Sequence, residues 1–524
     1  MSRLYKLYVL LILMLVYLLN VIDRSIITVL APYIKADLGL TDAQLALLYG
    51  TAFALFYGLF GIPLARLADS WSRKNTLAIG LAFWSLMTCL CGCARSIAQL
   101  GLIRACVGVG EASASPAAVS LLSDYFSARR RGTVLAIYLT AIFLGGGGSL
   151  MLGGWIVSWW TDHYGSAANA PLGLTGWRAA FFLVGMPGLL LALIVAFTIR
   201  EPLRDFAGAR PIQSVVEEAR TILWPWSYFS LRRTGSAGIA RANLLAMGII
   251  FAAAVCAIIV TDSLLAADHR GLVGTLFGVS ITANTVQWVA LAIAIYGAVS
   301  WAQSLLQRDP DIFRTVVGSK PYASLVFGGG AIAVAMYSVN SFNFLYAVRY
   351  LDASPEFGIT LGIVVAICGI SGTLGAGALG DWLKVRHAAG RVQLMVICYL
   401  GFATAAMLQY TTTAPTMFVI TYGVGTALLS TWTPLINATA QDLLPEDMRG
   451  RGYAVLQLGT NVIGLGLGPY FVGLISDSSG SLRTAIISVI LASVPAVFFG
   501  FNILIRHLRM PAEVPSGLTP ASSH

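Results

Sequence analysis

Fourteen apolar stretches follow one another along this chain, and each is long enough to cross about 30 Å of hydrocarbon as an α-helix. Six precede residue 200, six follow residue 321, and two lie between these groups. The predicted spans are 8–31, 43–66, 76–94, 97–121, 133–160 and 178–199, then 242–264 and 277–302, and finally 322–346, 357–380, 392–411, 415–440, 452–476 and 484–505. The pattern therefore predicts an all-α integral membrane protein with fourteen transmembrane helices.

The two groups of six carry similar segments at matching positions. A segment that ends at Asp69 precedes two basic residues after the second span, and Gly377-Ala-Leu-Gly-Asp381 precedes two basic residues after the corresponding later span. Internal repeats in a membrane chain are typical of transporters whose binding site lies between the repeats. We therefore predict an N-terminal six-helix half (1–200), a cytoplasmic linker with two extra helices (201–321), a C-terminal six-helix half (322–510) and a disordered cytoplasmic tail (511–524).

Composition and charge agree with a membrane protein. Hydrophobic residues make up 57% of the 524 positions and charged residues 11%, and the mean hydropathy is +0.79. The net charge of +10 could indicate nucleic-acid binding, but 25 of the 33 Lys and Arg residues fall on the side of the N-terminus, 6 on the other side and 2 within the spans. This asymmetry places both termini in the cytoplasm and indicates a cell inner-membrane protein without a nucleic-acid partner.

The ionisable side chains inside predicted spans include Asp23 in the first and Arg104 and Glu111 in the fourth. A charge at the bilayer centre costs about 2.5–3.5 kcal/mol on insertion scales, so such residues are usually functional. A spacing of seven places Arg104 and Glu111 on one helix face, about 10 Å apart. A cation between two acids predicts a proton-coupled permeation site. The alternative is a buried structural ion cluster that only fixes helix packing.

A cytoplasmic gate is predicted between the second and third spans. Asp69 lies at a helix end just after the second span, and Arg73 and Lys74 follow it in a short loop. The carboxylate can pair with a base or a helix terminus in one conformation and release it in another. Asp381 takes the matching position in the second half. The alternative is an ordinary basic cytoplasmic loop with a solvated acid.

This loop resembles the Gly-x-x-x-Asp-Arg-x-Gly-Arg-Arg pattern of the major facilitator superfamily, from which Ala65, Ser70 and Ser72 depart. The resemblance implies a major facilitator-type fold, with two six-helix halves related by pseudo-two-fold symmetry, and transport by alternating access. The usual twelve-span member lacks the pair at 242–302. We expect that pair to be a peripheral hairpin that joins the halves, rather than part of the transport path.

Two segments carry a narrower resemblance to Spinster-like transporters. Asn20-Val-Ile-Asp23-Arg24 is similar to that family's Asn-Tyr-x-Asp-Arg signature, and the run from Arg104 to Ser113 is similar to its Arg-x-x-x-Gly-x-Gly-Glu-Ala-Ser motif. The resemblance implies that Asp23 is the titrating proton site, Arg104 its switchable partner and Glu111 a second protonatable group. Arg24 is given no transport role.

The substrate is expected to bind between a charged wall in the first half and a polar and aromatic wall in the second. The candidate contacts are Asn20, Tyr337, Asn340, Trp432 and Asn461. The Spinster resemblance suggests lysophospholipids or sphingoid lipids. The residues alone allow any small amphiphile or organic anion, with Arg104 as the anion's contact, so a sugar-acid or drug transporter is an alternative.

Other classes of function find less support in the sequence. It has no nucleophile elbow, phosphate-binding loop or metal-spaced acids, so we expect neither an enzyme nor a cofactor or metal site. A non-transporting receptor would not need charges inside the membrane. The expected protein is a monomer in the lipid bilayer whose partners are protons and a small amphiphilic or anionic solute.

Overall fold

The computed structural model describes residues 2–202, 211–234, 237–266, 269–445 and 448–509. Within these residues, 14 helices are long and apolar enough to cross a membrane, which confirms the predicted number of spans. The tail at 511–524, predicted to be disordered, lies outside the described residues. We number the spans 1–14 in chain order. The inner face is the one at which span 1 begins, and the outer face is the one at which it ends.

The first half contains spans 1–6, and three of these are interrupted. Span 1 is Arg3–Leu38, span 2 is Asp42–Tyr49 with Thr51–Ser70, span 3 is Arg73–Cys91, span 4 is Ile97–Glu111 with Ala114–Tyr125, span 5 is Ala128–Leu139 with Ala141–Tyr164, and span 6 is Gly176–Thr198. Two short 3₁₀ turns, Ala167–Asn169 and Pro171–Gly173, precede span 6.

The linker and the second half complete the chain. The linker contains helices Pro211–Ile222 and Trp226–Thr234, span 7 (Ala237–Ser263), strands β1 (Leu272–Leu276) and β2 (Val279–Thr282), span 8 (Ala283–Arg308), and the short turns Pro310–Ile312 and Phe313–Val317. The second half contains span 9 (Lys320–Leu351), span 10 (Phe357–Arg386), span 11 (Gly390–Thr411), span 12 (Pro415–Leu429 with Trp432–Asp442), span 13 (Arg449–Ser479) and span 14 (Leu482–Arg509).

The connection between spans 7 and 8 differs from the prediction. An antiparallel β-hairpin occupies residues 272–282, so span 8 begins at Ala283 rather than at 277. Phe277 and Gly278 form its two-residue turn, both with positive φ (49° and 80°). This backbone matches the twist of a tight hairpin. Periodicity alone did not separate these strands from the start of the apolar helix.

The largest contacts between the two halves involve two pairs of spans. Span 5 packs against span 10, where Gly147 and Gly362 allow close approach: a Cβ on Gly147 would lie 2.4 Å from the Gly362 carbonyl oxygen. On the other side, the first helix of span 2 packs against span 13. The halves therefore meet through small residues, as helices packed in a bilayer commonly do.

Candidate functional site

Asp23, Arg104 and Glu111 come together inside the first half, as the sequence predicted. Their exposed fractions are 1%, 0% and 0%. Asp23 Oδ2 accepts a hydrogen bond from Thr88 Oγ1 at 3.3 Å. Asp23 Oδ1 and Glu111 Oε1 have no hydrogen-bond partner among the described residues. Each of these two buried carboxyl groups thus has one oxygen that receives no hydrogen bond from the described part of the chain.

Arg104 does not pair with the carboxylate of Asp23. Its Nη1 donates to the backbone carbonyl of Asp23 at 2.9 Å, and its Nη2 donates to that of Arg24 at 3.1 Å. The guanidinium therefore joins span 4 to the backbone of span 1, which corrects the expected side-chain pair. Because these carbonyls carry no titratable charge, Arg104 acts as a fixed cation beside the acids.

The cation that pairs with Glu111 is Arg24. Its Nη2 lies 3.0 Å and its Nε 3.3 Å from Glu111 Oε2. The guanidinium carbon lies 4.6 Å from the ring centroids of both Phe53 and Tyr57 in span 2. The Arg24 side chain is 27% exposed, whereas Glu111 is fully buried. Arg24 is therefore the accessible cation of this site, held by one acid and two aromatic faces.

The glycines of the fourth-span motif make this arrangement possible. A Cβ on Gly108 would lie 2.8 Å from the carbonyl oxygen of Phe53, and one on Gly110 would lie 2.8 Å from Trp84 Cβ. Spans 2 and 3 can therefore approach span 4 closely, which places Phe53 beside Arg24. Span 4 is interrupted directly after Glu111, where the next helix begins at Ala114.

Tyrosines from both halves lie near Arg24. The guanidinium lies over the ring of Tyr57, and Tyr17 and Tyr337 are close enough to contribute to its electrostatic environment. Tyr337, a predicted substrate contact, donates to Asn461 Oδ1 at 3.1 Å, so these two residues lie together as one polar site of the second half.

The remaining predicted substrate contacts are more dispersed. Asn20 is buried one turn from Arg24, and its Oδ1 lies 3.5 Å from Arg24 Nη2. Asn340 is exposed on span 9, one turn beyond Tyr337. Trp432 of span 12 is half-buried and packs near Gly329 of span 9. Asn20 therefore belongs to the charged wall, and the other two line the second half.

Charged residues at the outer face connect the two halves, and we call Lys35, Asp42, Arg349, Ser476 and Asp477 the outer cluster. Asp42 pairs with Lys35 of its own half and accepts two 2.9 Å hydrogen bonds from Arg349 of the other half. Ser476 donates to Asp42 at 2.6 Å, and Asp477 accepts the backbone N–H of Asp42 at 2.9 Å. The outer face is therefore closed.

The charged residues predicted as a cytoplasmic gate form separate clusters within each half. Arg73 is fully buried and pairs with Asp124 and with Glu201, which lies 2.8 Å from its Nε. Lys74 contributes its backbone N–H to Glu201 at 2.9 Å. The side chain of Asp69 lies outside the described part of the chain.

In the second half, Asp381 pairs with Arg391, which also binds Asp442. The predicted gate residues Arg73 and Asp381 thus each form ion pairs on their own side of the molecule at the inner face. Contacts that join the halves at the outer face and stay within each half at the inner face are typical of an outward-closed transporter.

Sequence reasoning missed Arg24 and Asp42. Tyr17, Asn20 and Arg24 recur at helical spacing along span 1, and this polar face was a usable signal for Arg24. Asp42 resembles an ordinary acid in the first turn of a helix, because its partner Arg349 is far away in the sequence.

Comparisons with known proteins agree with this geometry. Residues 13–469 match the family model described as Major Facilitator Superfamily. An "MFS-type efflux pump" of Mycolicibacterium smegmatis is 26% identical over 465 residues, covering 88% of this chain and 82% of that protein. A "Probable L-galactonate transporter" of Escherichia coli is 28% identical over 175 residues, covering 33% of this chain and 35% of that protein.

Among solved structures, a bacterial homolog of the human lysosomal transporter Spinster, inward-facing and occupied, superimposes with a TM-score of 0.69. The identity is 24%, and the match covers 97% of this chain and 98% of that one. The chain shares this fold, and the family model spans most of its length. This protein is therefore a multi-pass membrane transporter that belongs to the Major Facilitator Superfamily.

Proposed function

We propose that the protein is a proton-coupled secondary active transporter that works by alternating access and carries a substrate with an anionic group. The observation that carries this proposal is the pair between accessible Arg24 and buried Glu111. A partly exposed cation with an ionisable acid as its partner can exchange that acid for a substrate anion.

Charge balance couples the proton to the substrate. When Arg24 pairs with ionised Glu111, the pair is neutral. A substrate anion that takes the place of Glu111 would leave a second negative charge in a buried region, which is costly. Protonation of Glu111 removes that charge and frees the guanidinium. Proton and anion therefore bind together and cross in the same direction.

Asp23 serves as a second protonatable site. It is buried with one unpaired oxygen, and Arg104 beside it is occupied by backbone carbonyls. Burial without full hydrogen bonding favours the neutral form of a carboxyl group. Opening of the site to water during transport would lower the cost of ionising Asp23, and would thereby change its proton occupancy.

The substrate class that fits best is a single-chain amphiphile with an anionic head, such as a lysophospholipid. Arg24 would bind the head, and the apolar and aromatic side chains of both halves would contact the chain. A small organic anion such as a sugar acid is a second candidate. The tyrosines near Arg24 suit a polyhydroxylated acid, and the similarity to a protein named as a galactonate transporter supports it.

Flux measurements in proteoliposomes test these proposals. Labelled lysophospholipid and labelled sugar acid are offered separately, with and without a proton gradient across the membrane. Gradient-driven accumulation of one of them identifies the substrate class. Accumulation of neither, with no proton movement on addition of a broad panel of anions, would contradict proton-coupled anion transport.

Asp23→Asn is expected to abolish gradient-driven accumulation of the accepted substrate while part of the exchange at equal pH remains. The amide keeps the shape and the Thr88 contact but cannot bind or release a proton. Asp37→Asn is the matched control, because Asp37 ends the same helix and pairs with Arg178 at the outer face. Full accumulation by Asp23→Asn would remove Asp23 from the coupling mechanism.

A further inference from the structure

Span 8 lies at the interface between the two halves rather than at the edge of the bundle. It packs against span 2 of the first half and span 13 of the second. Leu55 of span 2, Ala290 and Ala294 of span 8, and Val462 of span 13 form one apolar cluster. Span 8, the inserted helix, therefore contacts both span 2 and span 13, which separate when the halves rotate apart at the outer face.

A buried polar network joins all three helices toward the outer face. Gln287 of span 8 is fully buried, and its Nε2 donates to the backbone carbonyl of Gly466 in span 13 at 2.6 Å. Thr51 of span 2 lies 3.3 Å from the same oxygen and is hydrogen-bonded to Gln287. One carbonyl of the second half thus holds a side chain of the first half and a side chain of the inserted helix.

Tyr470 forms a second contact with the inserted helix. Its hydroxyl donates to Asn284 Oδ1 at 2.8 Å and accepts from Trp288 Nε1 at 3.1 Å, and the residue is 1% exposed. The Trp288 and Tyr470 rings meet edge to face with centroids 5.6 Å apart. These contacts also lie near the outer end of span 13.

The inner end of span 8 is held by the first half and the linker. Glu218 of the linker lies 3.4 Å from Arg308 of span 8 and 3.6 Å from Arg66 of span 2. Ser300 of span 8 donates to the carbonyl of Thr221 at 2.9 Å. The inserted helix is thus attached to the first half near both faces and to the second half near the outer face.

The hairpin between spans 7 and 8 extends this attachment to the outer cluster. Gln44 Nε2, two residues after Asp42, donates to the carbonyl of Leu272 in β1 at 2.9 Å. The helix that carries Asp42 is therefore held by the inserted segment as well as by the ion pairs with the second half.

We propose that spans 7 and 8 move with the first half and stabilise the outward-closed conformation through hydrogen bonds to the second half. Gln287 of span 8 provides one of these bonds, and Tyr470 of span 13 provides the others. Opening of the outer face separates span 2 from span 13, so it must break the hydrogen bonds to Gly466 and Tyr470. This inference rests on the alternating-access function proposed above.

Distances between spin labels at the outer face test the inference. Cysteines replace Ser166 and Ser478, which are exposed on opposite halves, in the full-length chain with its seven native cysteines changed to serine and reconstituted in lipid. Tyr470→Phe, which loses two hydrogen bonds between span 8 and the second half, is expected to raise the population with the longer label distance by about five- to tenfold. Gln287→Leu, which loses one such hydrogen bond, is expected to raise that population by about threefold.

Tyr296→Phe is the matched control. Tyr296 is a buried tyrosine of span 8 whose hydroxyl donates to Asn243 at 2.9 Å and contacts Ser227 at 2.8 Å, both in the inserted and linker segments. It also loses two hydrogen bonds, but neither joins the halves. We expect its distances to equal those of the parent.

The outcomes separate this inference from the proposed function. If pH and substrate shift the parent's distances but both Tyr470→Phe and Gln287→Leu leave them unchanged, the stabilising role of spans 7 and 8 is wrong and alternating access stands. An equal shift in Tyr296→Phe also contradicts the inference. If the parent holds one distance at every pH and with every substrate, alternating access fails, and the inference fails with it.

Discussion

Arg24→Gln is expected to weaken binding of the anionic substrate by about 30-fold or more. Truncating one member of a buried, hydrogen-bonded charge pair costs about 2–5 kcal/mol, and each 1.4 kcal/mol is about tenfold in affinity. The variant loses the charge and the contacts with Phe53 and Tyr57, each 4.6 Å from the guanidinium. Equilibrium binding of labelled substrate to purified protein measures the effect.

Glu111→Gln is expected to show a different defect. The amide imitates the protonated acid and leaves Arg24 free, so binding should be retained and should lose its dependence on pH. Gradient-driven accumulation should disappear, because position 111 can no longer carry a proton. In the parent, affinity should rise as the pH falls, since proton and anion bind together.

Arg178→Gln is the control for Arg24→Gln. Arg178 pairs with Asp37 at 3.1 Å and lies 4.6 Å from the ring centroid of Trp177. Like Arg24, it therefore contacts one carboxylate and an aromatic ring, but it lies at the outer face. Its loss should leave binding unchanged. If Arg24→Gln and Glu111→Gln bind and transport alike, the pair only fixes helix packing, and the proposed exchange is wrong.

Asp42→Ala is expected to shift the protein strongly toward an outward-open conformation. Asp42 is 2% exposed and holds Lys35 and Arg349 across the outer face. Removing one member of a buried ion pair costs about 3–5 kcal/mol. The lower end applies, because the side chains of Lys35 and Arg349 are 29% and 31% exposed. The outward-open population should therefore rise by about 100-fold.

Alkylation beneath the outer cluster measures this shift. Tyr49 is 4% exposed and meets Phe342 of the second half edge to face, with centroids 5.3 Å apart. Tyr49→Cys, in a chain without native cysteines, should react with an impermeant maleimide much faster when Asp42→Ala is added.

Asp442→Ala is the matched control for Asp42→Ala. Asp442 also accepts from a lysine and an arginine, Lys384 at 2.6 Å and Arg391, but at the inner face and within one half. Its loss should leave alkylation of Tyr49→Cys unchanged. An equal reaction rate in Asp42→Ala and the parent would mean that the outer cluster does not keep the outer face closed.

The two arginines support different hypotheses about the buried charges: Arg104 supports a structural ion cluster, and Arg24 supports a transport site. As a cation bound to two backbone carbonyls of span 1, it fulfils the structural role that was the alternative explanation. Arg24, by contrast, faces an accessible region and pairs with an acid. Arg104 therefore fixes the helices, whereas the proposed mechanism requires Arg24 to exchange partners.

The sequence by itself determined the number of spans, the two repeated halves and the presence of the buried charges Asp23, Arg104 and Glu111 inside the spans. Each of these follows from local properties: the length of an apolar run, the recurrence of a motif, and the cost of an ionised group in hydrocarbon. The fourth-span motif also specified its glycines, because Gly108 and Gly110 lie where spans 2 and 3 approach most closely.

Only the tertiary structure decided which charges pair and what span 8 contacts. Helical periodicity gives the relative directions of residues within one helix, but not the rotation of that helix about its axis against another. Because of that rotation, Glu111 pairs with Arg24 and not with Arg104. It also brought Asp42 to Arg349 and Gln287 to Gly466, because contacts between residues far apart in sequence depend on how the packed helices assemble.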